Sequence, residues 1–219
     1  MADFFDRHGL RHRTLRIDAG DAIPESIADA SGLVFMGGPM SVNDPLPWIP
    51  KVLKLIRNAD VQGLPVLGHC LGGQLLSKAL GGRVTRARIK EIGWLPVSAV
   101  PSPESRHWLG GLPPRFEVFH WHGETFSLPP GATHLLSSRH CRHQAFVRGK
   151  HLGLQCHVEM TADMVRTWSQ DGAREIAVAG PSATVQPRAQ MLISLPRRVA
   201  ALHAVADTLY TRWIAGLKA

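Results

Sequence analysis

The sequence predicts a single α/β domain, and three observations lead to that prediction. Short apolar runs typical of buried strands alternate with stretches that have helical periodicity. The chain has 219 residues, enough for one compact domain, and its 44% hydrophobic content disfavours disorder. No internal repeat, low-complexity tract or interdomain linker interrupts the alternation. We therefore assign residues 1–219 to one domain.

The first half of the chain is expected to supply two strand–helix units. Residues 32–36 form an apolar run that ends at Gly37-Gly38-Pro39, as a buried strand followed by a tight loop would. The next stretch has helical spacing, with apolar residues at Ile49, Val52, Leu53 and Ile56. A second buried strand over 63–68 leads into another helix that Gly81-Gly82 ends. The apolar positions of that helix are Leu71, Leu75, Leu76, Ala79 and Leu80.

The remaining elements are predicted from shorter patterns. A helix is expected to begin near Thr161, with Met164, Val165 and Trp168 on its inner face, and another covers 200–218. At the amino terminus, we expect a helix over 3–8 and a strand over 14–17. Four further strands are expected at 93–97, 116–121, 144–147 and 152–156.

Composition and charge exclude several classes of protein. Three cysteines are too few for a disulfide framework, so we expect a reducing, cytoplasmic location. The net charge is +8, but the basic residues are scattered and no segment interleaves them with aromatic residues, so we expect no nucleic-acid partner. No apolar run is long enough to span a membrane. Glycine-rich phosphate-binding motifs are absent, and we expect no cofactor.

Cys70 is the candidate nucleophile. It lies at the predicted turn from strand to helix, where the free N–H groups and positive dipole end of the helix favour a thiolate. Gly68 and Gly72 flank it in a G-x-C-x-G pattern, which permits a strained backbone and a close approach of neighbouring strands. This pattern alone fits a buried structural cysteine about equally well.

His157 and Glu159 form the second part of the candidate site. They follow an apolar strand, at the end of the sheet where open α/β folds place their sites. Side chains at i and i+2 of an extended segment point to the same side, so the carboxylate can orient the imidazole. A base with such an orienting group is what a cysteine nucleophile needs.

Five segments in this order resemble the triad-type class I glutamine amidotransferases, in particular stand-alone members similar to the glutaminase domain of GMP synthetase. The segments are GGPMSVND at 37–44, GHCLGGQLL at 68–76, KEIGW at 90–94, FHWHGETFSLP at 119–129 and GLQCHVE at 153–159. Any one of these motifs is weakly specific, but the ordered set is strongly specific. The similarity covers nearly the whole chain from about residue 10 onward. The fold that the resemblance implies is a doubly wound, mostly parallel, flavodoxin-like sheet.

The resemblance also implies a reaction and a set of site residues. Cys70 would attack the side-chain amide of glutamine and form a thioester, with His157 as acid and base and Glu159 as its orienting group. The oxyanion would lie between the N–H groups of Gly38 and Leu71. The substrate-binding residues implied by the resemblance are Gln74, His122 and Glu124. A separate synthetase or acceptor protein would use the released ammonia.

Two alternatives remain open at the level of sequence. The same triad could hydrolyse a γ-glutamyl amide or peptide, because specificity depends on pocket shape. The chain could also be an inactive regulatory or binding remnant, because it lacks the apolar first strand with which family members open. That absence indicates either a start recorded too late in the gene or a real truncation. In the family pattern an apolar residue and Pro stand where this chain has Cys156 and Val158, and both replacements look tolerable.

No metal site is predicted. Cys141, His143, Cys156 and His157 lack the paired spacings of zinc ligands. His120 and most of the other histidines are predicted to be surface or packing residues.

Overall fold

In the computed structural model, which describes residues 1–218, helices cover both faces of a seven-stranded sheet. The strands are β1 (Leu33–Phe35), β2 (Val66–His69), β3 (Val84–Ala99), β4 (Arg115–Phe126), β5 (Thr133–Ser137), β6 (Ala145–Arg148) and β7 (His151–Leu154). The helices are α1 (Ala2–Arg7), α2 (Trp48–Val61), α3 (Leu71–Ala79), α4 (Pro103–Leu109), α5 (Ala162–Asp171), α6 (Ala173–Ala179), α7 (Arg188–Leu192) and α8 (Leu195–Ile214). The predicted α/β class is confirmed.

The sheet order is β1-β2-β7-β6-β5-β3-β4. The pairs β1–β2 and β2–β7 are parallel, and β6, β5, β3 and β4 continue the sheet with antiparallel pairing. Because the three parallel strands end at the same edge, the segments that follow them meet there. These segments contain the Gly37-Gly38 loop, Cys70 and His157.

Two apolar clusters fill the space between the layers. Helices α2 and α3 pack on one face of the sheet, around Ile56, Leu76 and Phe146. Helix α8 packs on the other face together with α4 and α5, and Trp94 and Leu202 are buried there. Burial of these helical faces is the main stabilising contribution, since helices of this length are marginal alone.

The predicted strand over 14–17 is wrong. The segment runs irregularly into a short 3₁₀ helix, Ile17–Ala19. A strand needs a partner for its backbone groups, and the part of the chain that the structure describes pairs β1 with β2 alone. On its other side β1 is a sheet edge, and its three residues are only half-buried.

The terminal helices and the antiparallel strands differ from prediction in extent. Helix α8 begins at Leu195, earlier than expected, and ends at Ile214. The predicted strands over 93–97 and 116–121 pair with each other near one end of a long β3–β4 ribbon. Strand β5 and helices α4, α6 and α7 were not predicted.

The close approach of α3 to β1 requires a residue without a side chain at position 72. A Cβ atom at position 72 would lie 2.0 Å from the backbone oxygen of Phe35. We expect Gly72→Ala to lower the free energy of unfolding by roughly 3 kcal/mol, because rigid backbone must move. Urea denaturation at neutral pH measures the change. Gly123→Ala is the control, since its Cβ would meet only the flexible end of Lys90 at 3.0 Å, and an equal loss in both variants would contradict the account.

Candidate active site

The backbone at Cys70 has the strained geometry that the G-x-C-x-G pattern predicts. Cys70 has φ 49° and ψ −106°, a region that residues with a Cβ seldom adopt. It caps the amino terminus of α3, and its own N–H donates to the carbonyl of Leu154 on β7 at 2.8 Å. The turn therefore places the thiol beside the unpaired N–H groups of the helix.

His157 and Glu159 lie together, as their i and i+2 positions predict. The imidazole Nδ1 is 2.6 Å from Oε1 of Glu159, and both residues are buried. The backbone of His157 exchanges two hydrogen bonds with Phe119, which ties this segment to β4. Val158 between them is fully buried in the apolar cluster, and Cys156 is buried likewise.

The electrostatics of this pair favour a charged imidazole. Burial opposes both charges, but the Glu159 carboxylate, together with the Cys70 side chain, raises the pKa of His157 well above its ordinary value. The pKa of Glu159 is lowered; burial works against this shift, and the charge of His157 is its main cause. Nε2 of His157 has no hydrogen-bond partner among residues 1–218, so it is available to a reacting group.

The Gly37-Gly38 loop lies against the same residues. A Cβ atom at position 37 would be 2.9 Å from Cε1 of His157 and 3.6 Å from Cβ of Cys70. The N–H groups of Gly38 and Leu71 donate no hydrogen bond to any residue from 1 to 218. The loop and the start of α3 thus offer two free backbone donors beside the thiol, which can stabilise an oxyanion.

The three predicted substrate-binding residues have different environments. Gln74 is buried and donates from Nε2 to Gln155 at 3.2 Å, and the Gln155 amide in turn lies 3.8 Å from Sγ of Cys70. Glu124 is half-buried and accepts a hydrogen bond from Ser41 at 2.9 Å. His122 is buried, with Nδ1 3.0 Å from the carbonyl of Glu124 and Nε2 3.2 Å from Oε2 of Glu91.

Three residues lie beside the pair, and sequence reasoning identified only Trp168, on the inner face of its helix. The ring of Trp168 packs edge-on against the imidazole of His157, with 5.1 Å between the ring centroids, and shields it from water. Nε2 of His69 lies 3.7 Å from Oε2 of Glu159 and 2.8 Å from the Tyr210 hydroxyl. Burial lowers the pKa of His69 to about 4, so it is neutral at pH 7. His69 directly precedes Cys70 in the sequence, and this position was a signal that could have identified it. Tyr210 is distant in sequence and had no such signal.

Comparison with known proteins agrees with this geometry. The family model described as glutamine amidotransferase class-I matches residues 6–167. The chain belongs to this family. It is 31% identical over 182 residues to the glutamine amidotransferase-like protein YfeJ of Salmonella typhimurium, covering 80% of this chain and 76% of that protein.

Two further relatives extend the comparison. A glutamine-hydrolysing GMP synthase of Thermomicrobium roseum is 40% identical over 132 residues, a match that covers 59% of this chain and 23% of the synthase. The crystal structure of a glutamine amidotransferase from Methylobacillus flagellatus superposes with a TM-score of 0.95 at 47% identity, over 99% of this chain and 89% of that one. The resemblance stated from the motifs is therefore confirmed, together with the fold class.

The raised pKa of His157 predicts a pH dependence of stability. Between about pH 6.5 and the raised folded pKa, only the folded state holds this proton, so stability falls as pH rises. We expect a loss of up to about 1.4 kcal/mol per pH unit in Cys70→Ala, which serves as the parent because a folded-state thiolate at Cys70 would release a proton and offset this slope. In Glu159→Gln, burial leaves His157 neutral and this slope disappears. Urea denaturation at several pH values from 6.5 to about 9 measures it.

Asp163→Asn, at an exposed carboxylate, is the matched control in the same Cys70→Ala parent and should keep the parent's slope. An unchanged slope in Glu159→Gln would contradict the charged pair.

Proposed function

We propose that this chain hydrolyses the side-chain amide of glutamine through a γ-glutamyl thioester on Cys70 and releases ammonia. The observation that carries the proposal is the convergence of three parts at the ends of the parallel strands. These are the thiol at the start of α3, the buried His157–Glu159 pair and the glycine loop with its free N–H groups. Membership of the class-I glutamine amidotransferase family supports glutamine as the substrate.

Acylation begins with the Cys70 thiolate. Its sulfur attacks the amide carbon, and the carbonyl oxygen takes up the negative charge between the N–H groups of Gly38 and Leu71. The imidazolium of His157 gives its proton to the departing nitrogen, so ammonia leaves and the thioester remains. Removing one oxyanion donor typically costs roughly 3 kcal/mol of barrier, which makes these backbone groups a large contribution.

Deacylation uses the same groups in reverse. Neutral His157 takes a proton from water, and the hydroxide attacks the thioester carbon. The bond to sulfur breaks, glutamate leaves, and the Cys70 thiolate is restored with the proton on the imidazole. Glu159 holds the ring through Nδ1 in both steps and stabilises its charged form.

Recognition of the substrate is assigned to the segments around Gln74 and Glu124. The Glu124 carboxylate, which Ser41 holds, would accept the α-amino group of glutamine. Gln74 would act through Gln155, whose amide reaches the Cys70 sulfur. His122 would position Glu124 through its backbone carbonyl rather than by touching the substrate.

The released ammonia would pass to an acceptor on another polypeptide. Similarity to a glutamine-hydrolysing GMP synthase supports a synthetase as the class of partner. A reducing cytoplasmic location fits the three cysteines, all of which are free. Among the described residues, no helix has the length and apolar character needed to cross a membrane.

Steady-state glutamine hydrolysis tests the proposal. We expect Cys70→Ala and His157→Gln to lower kcat by roughly 10³-fold or more, because the nucleophile or its acid and base is lost. Ammonia release from glutamine is the measurement, with amine release from a γ-glutamyl alkylamide as the comparison substrate. Cys141→Ser, at a cysteine outside the site, should retain wild-type activity.

Preference for the alkylamide by more than about tenfold in kcat/KM would instead favour a γ-glutamyl hydrolase. Equal hydrolysis by wild type and Cys70→Ala would overturn the proposed nucleophile.

A further inference from the structure

A second cluster of titratable groups lies on the β3–β4 ribbon, outside the proposed reaction. Glu91, His120 and His122 are all buried, and one potential ligand atom of each lies within 4.8 Å of the other two. The ribbon register pairs Glu91 with His122 and Gly93 with His120, so the three side chains share one face.

The hydrogen bonds of the two imidazoles direct their lone pairs into the cluster. Nδ1 of His122 faces the carbonyl of Glu124 at 3.0 Å, so this nitrogen carries the proton and Nε2 is left as an acceptor. Nε2 of His120 faces the carbonyl of Leu95 at 3.3 Å, and Nδ1 is left in the same way. Two unprotonated imidazole nitrogens and one carboxylate therefore meet in a buried space.

The donors available in residues 1–218 satisfy this cluster only in part, since His122 Nε2 has one long contact and His120 Nδ1 has none. The Gln144 amide nitrogen is 2.8 Å from Oε2 of Glu91 but 3.4 Å from Nε2 of His122. His120 Nδ1 has no hydrogen-bond partner, and neither has Oε1 of Gln144. Protonating His122 would pair it with Glu91 but would leave His120 Nδ1 bare. A cation among the three groups would satisfy all of them at once.

We propose that Glu91, His120 and His122 bind a divalent metal ion, Zn²⁺ above all. Imidazole nitrogen and carboxylate oxygen are ligands that Zn²⁺ prefers, and three protein ligands leave a fourth position open. Turning over the Gln144 amide would point its free Oε1 at that position. This inference is independent of the proposed glutaminase activity.

The spacing and surroundings of the cluster fit such a site. Ligand atoms around tetrahedral Zn²⁺ lie roughly 3.4 Å apart. The His122–Glu91 pair, at 3.2 Å, already has this spacing, and the other separations, which lie within 4.8 Å, must close by up to about 1.4 Å on binding. Each ligand also has an outer partner that fixes its orientation. The Glu124 carbonyl faces His122 and the Leu95 carbonyl faces His120. The Ser138 hydroxyl donates to Glu91 at 2.8 Å.

The metal would be structural. It would clamp β3 to β4, and β4 carries Glu124 and Trp121. The backbone oxygen of Trp121 lies 3.8 Å from the Cys70 sulfur. The H-x-H pattern at 120–122 on a strand was the available sequence signal, because alternate residues of a strand share a face. If the proposal holds, the prediction that the chain has no metal site is wrong.

Metal content of the purified protein tests the site. All proteins carry Cys70→Ala, so that a thiolate beside His157 cannot take up the ion. After growth in zinc-supplemented medium and purification without chelator, we expect about one Zn²⁺ per chain by mass spectrometry of the elements. His120→Asn should lower the content at least about tenfold. His107→Asn, at an exposed histidine of α4, should leave it unchanged.

Cobalt provides a second measurement on the folded parent. Co²⁺ added to chelator-treated protein should give the intense visible bands of a low-coordinate nitrogen–oxygen site, and Glu91→Gln should weaken them. Circular dichroism establishes that each compared variant is folded. If His120→Asn does not fold, Glu91→Gln takes its place in the measurement of zinc content.

Less than about a tenth of a Zn²⁺ per chain in the folded parent overturns the proposal. So does full metal content in a folded ligand variant, since the ion would then lie elsewhere.

Discussion

The close contact of the Cys70 turn with the strands on either side is the constraint on which the site depends. The first turn of α3 lies between β1 and β7, with Gly72 against the Phe35 carbonyl and Gly73 against that of Leu154. Side chains at these positions would force the helix away from the sheet. The strained backbone of Cys70 follows from this geometry, and the surrounding packing must offset its cost.

The buried His157–Glu159 pair is the second requirement, and it makes the site sensitive to its surroundings. An isolated buried charge is costly, so each partner depends on the other and on the groups around them. Trp168 excludes water from the imidazole, while His69 and Tyr210 stand beside the carboxylate. Removing Glu159 would let burial keep His157 neutral, whereas removing His157 would take away the main counter-charge of Glu159.

Most of the site could be predicted because its parts are local. The Cys70 turn and the His157–Glu159 spacing lie within short segments, and the helical and strand patterns around them are clear. The start of β3 gave no signal, because residues 85–90 are exposed or half-buried and present no continuous apolar face. The strand over 14–17 was predicted from local pattern, but no described strand pairs with it. The contact between His69 and Tyr210 joins residues far apart in sequence, which pattern reasoning does not connect.

Covalent trapping of the thiol tests the central claim most directly. Folded protein would be incubated with the diazoketone analogue of glutamine, and its intact mass compared with that of Cys70→Ala treated alike. We predict a single adduct on the wild type, blocked by excess glutamine and absent from Cys70→Ala. Folded wild type without an adduct, or an adduct that persists in Cys70→Ala, would contradict the account of Cys70 as the nucleophile that attacks glutamine.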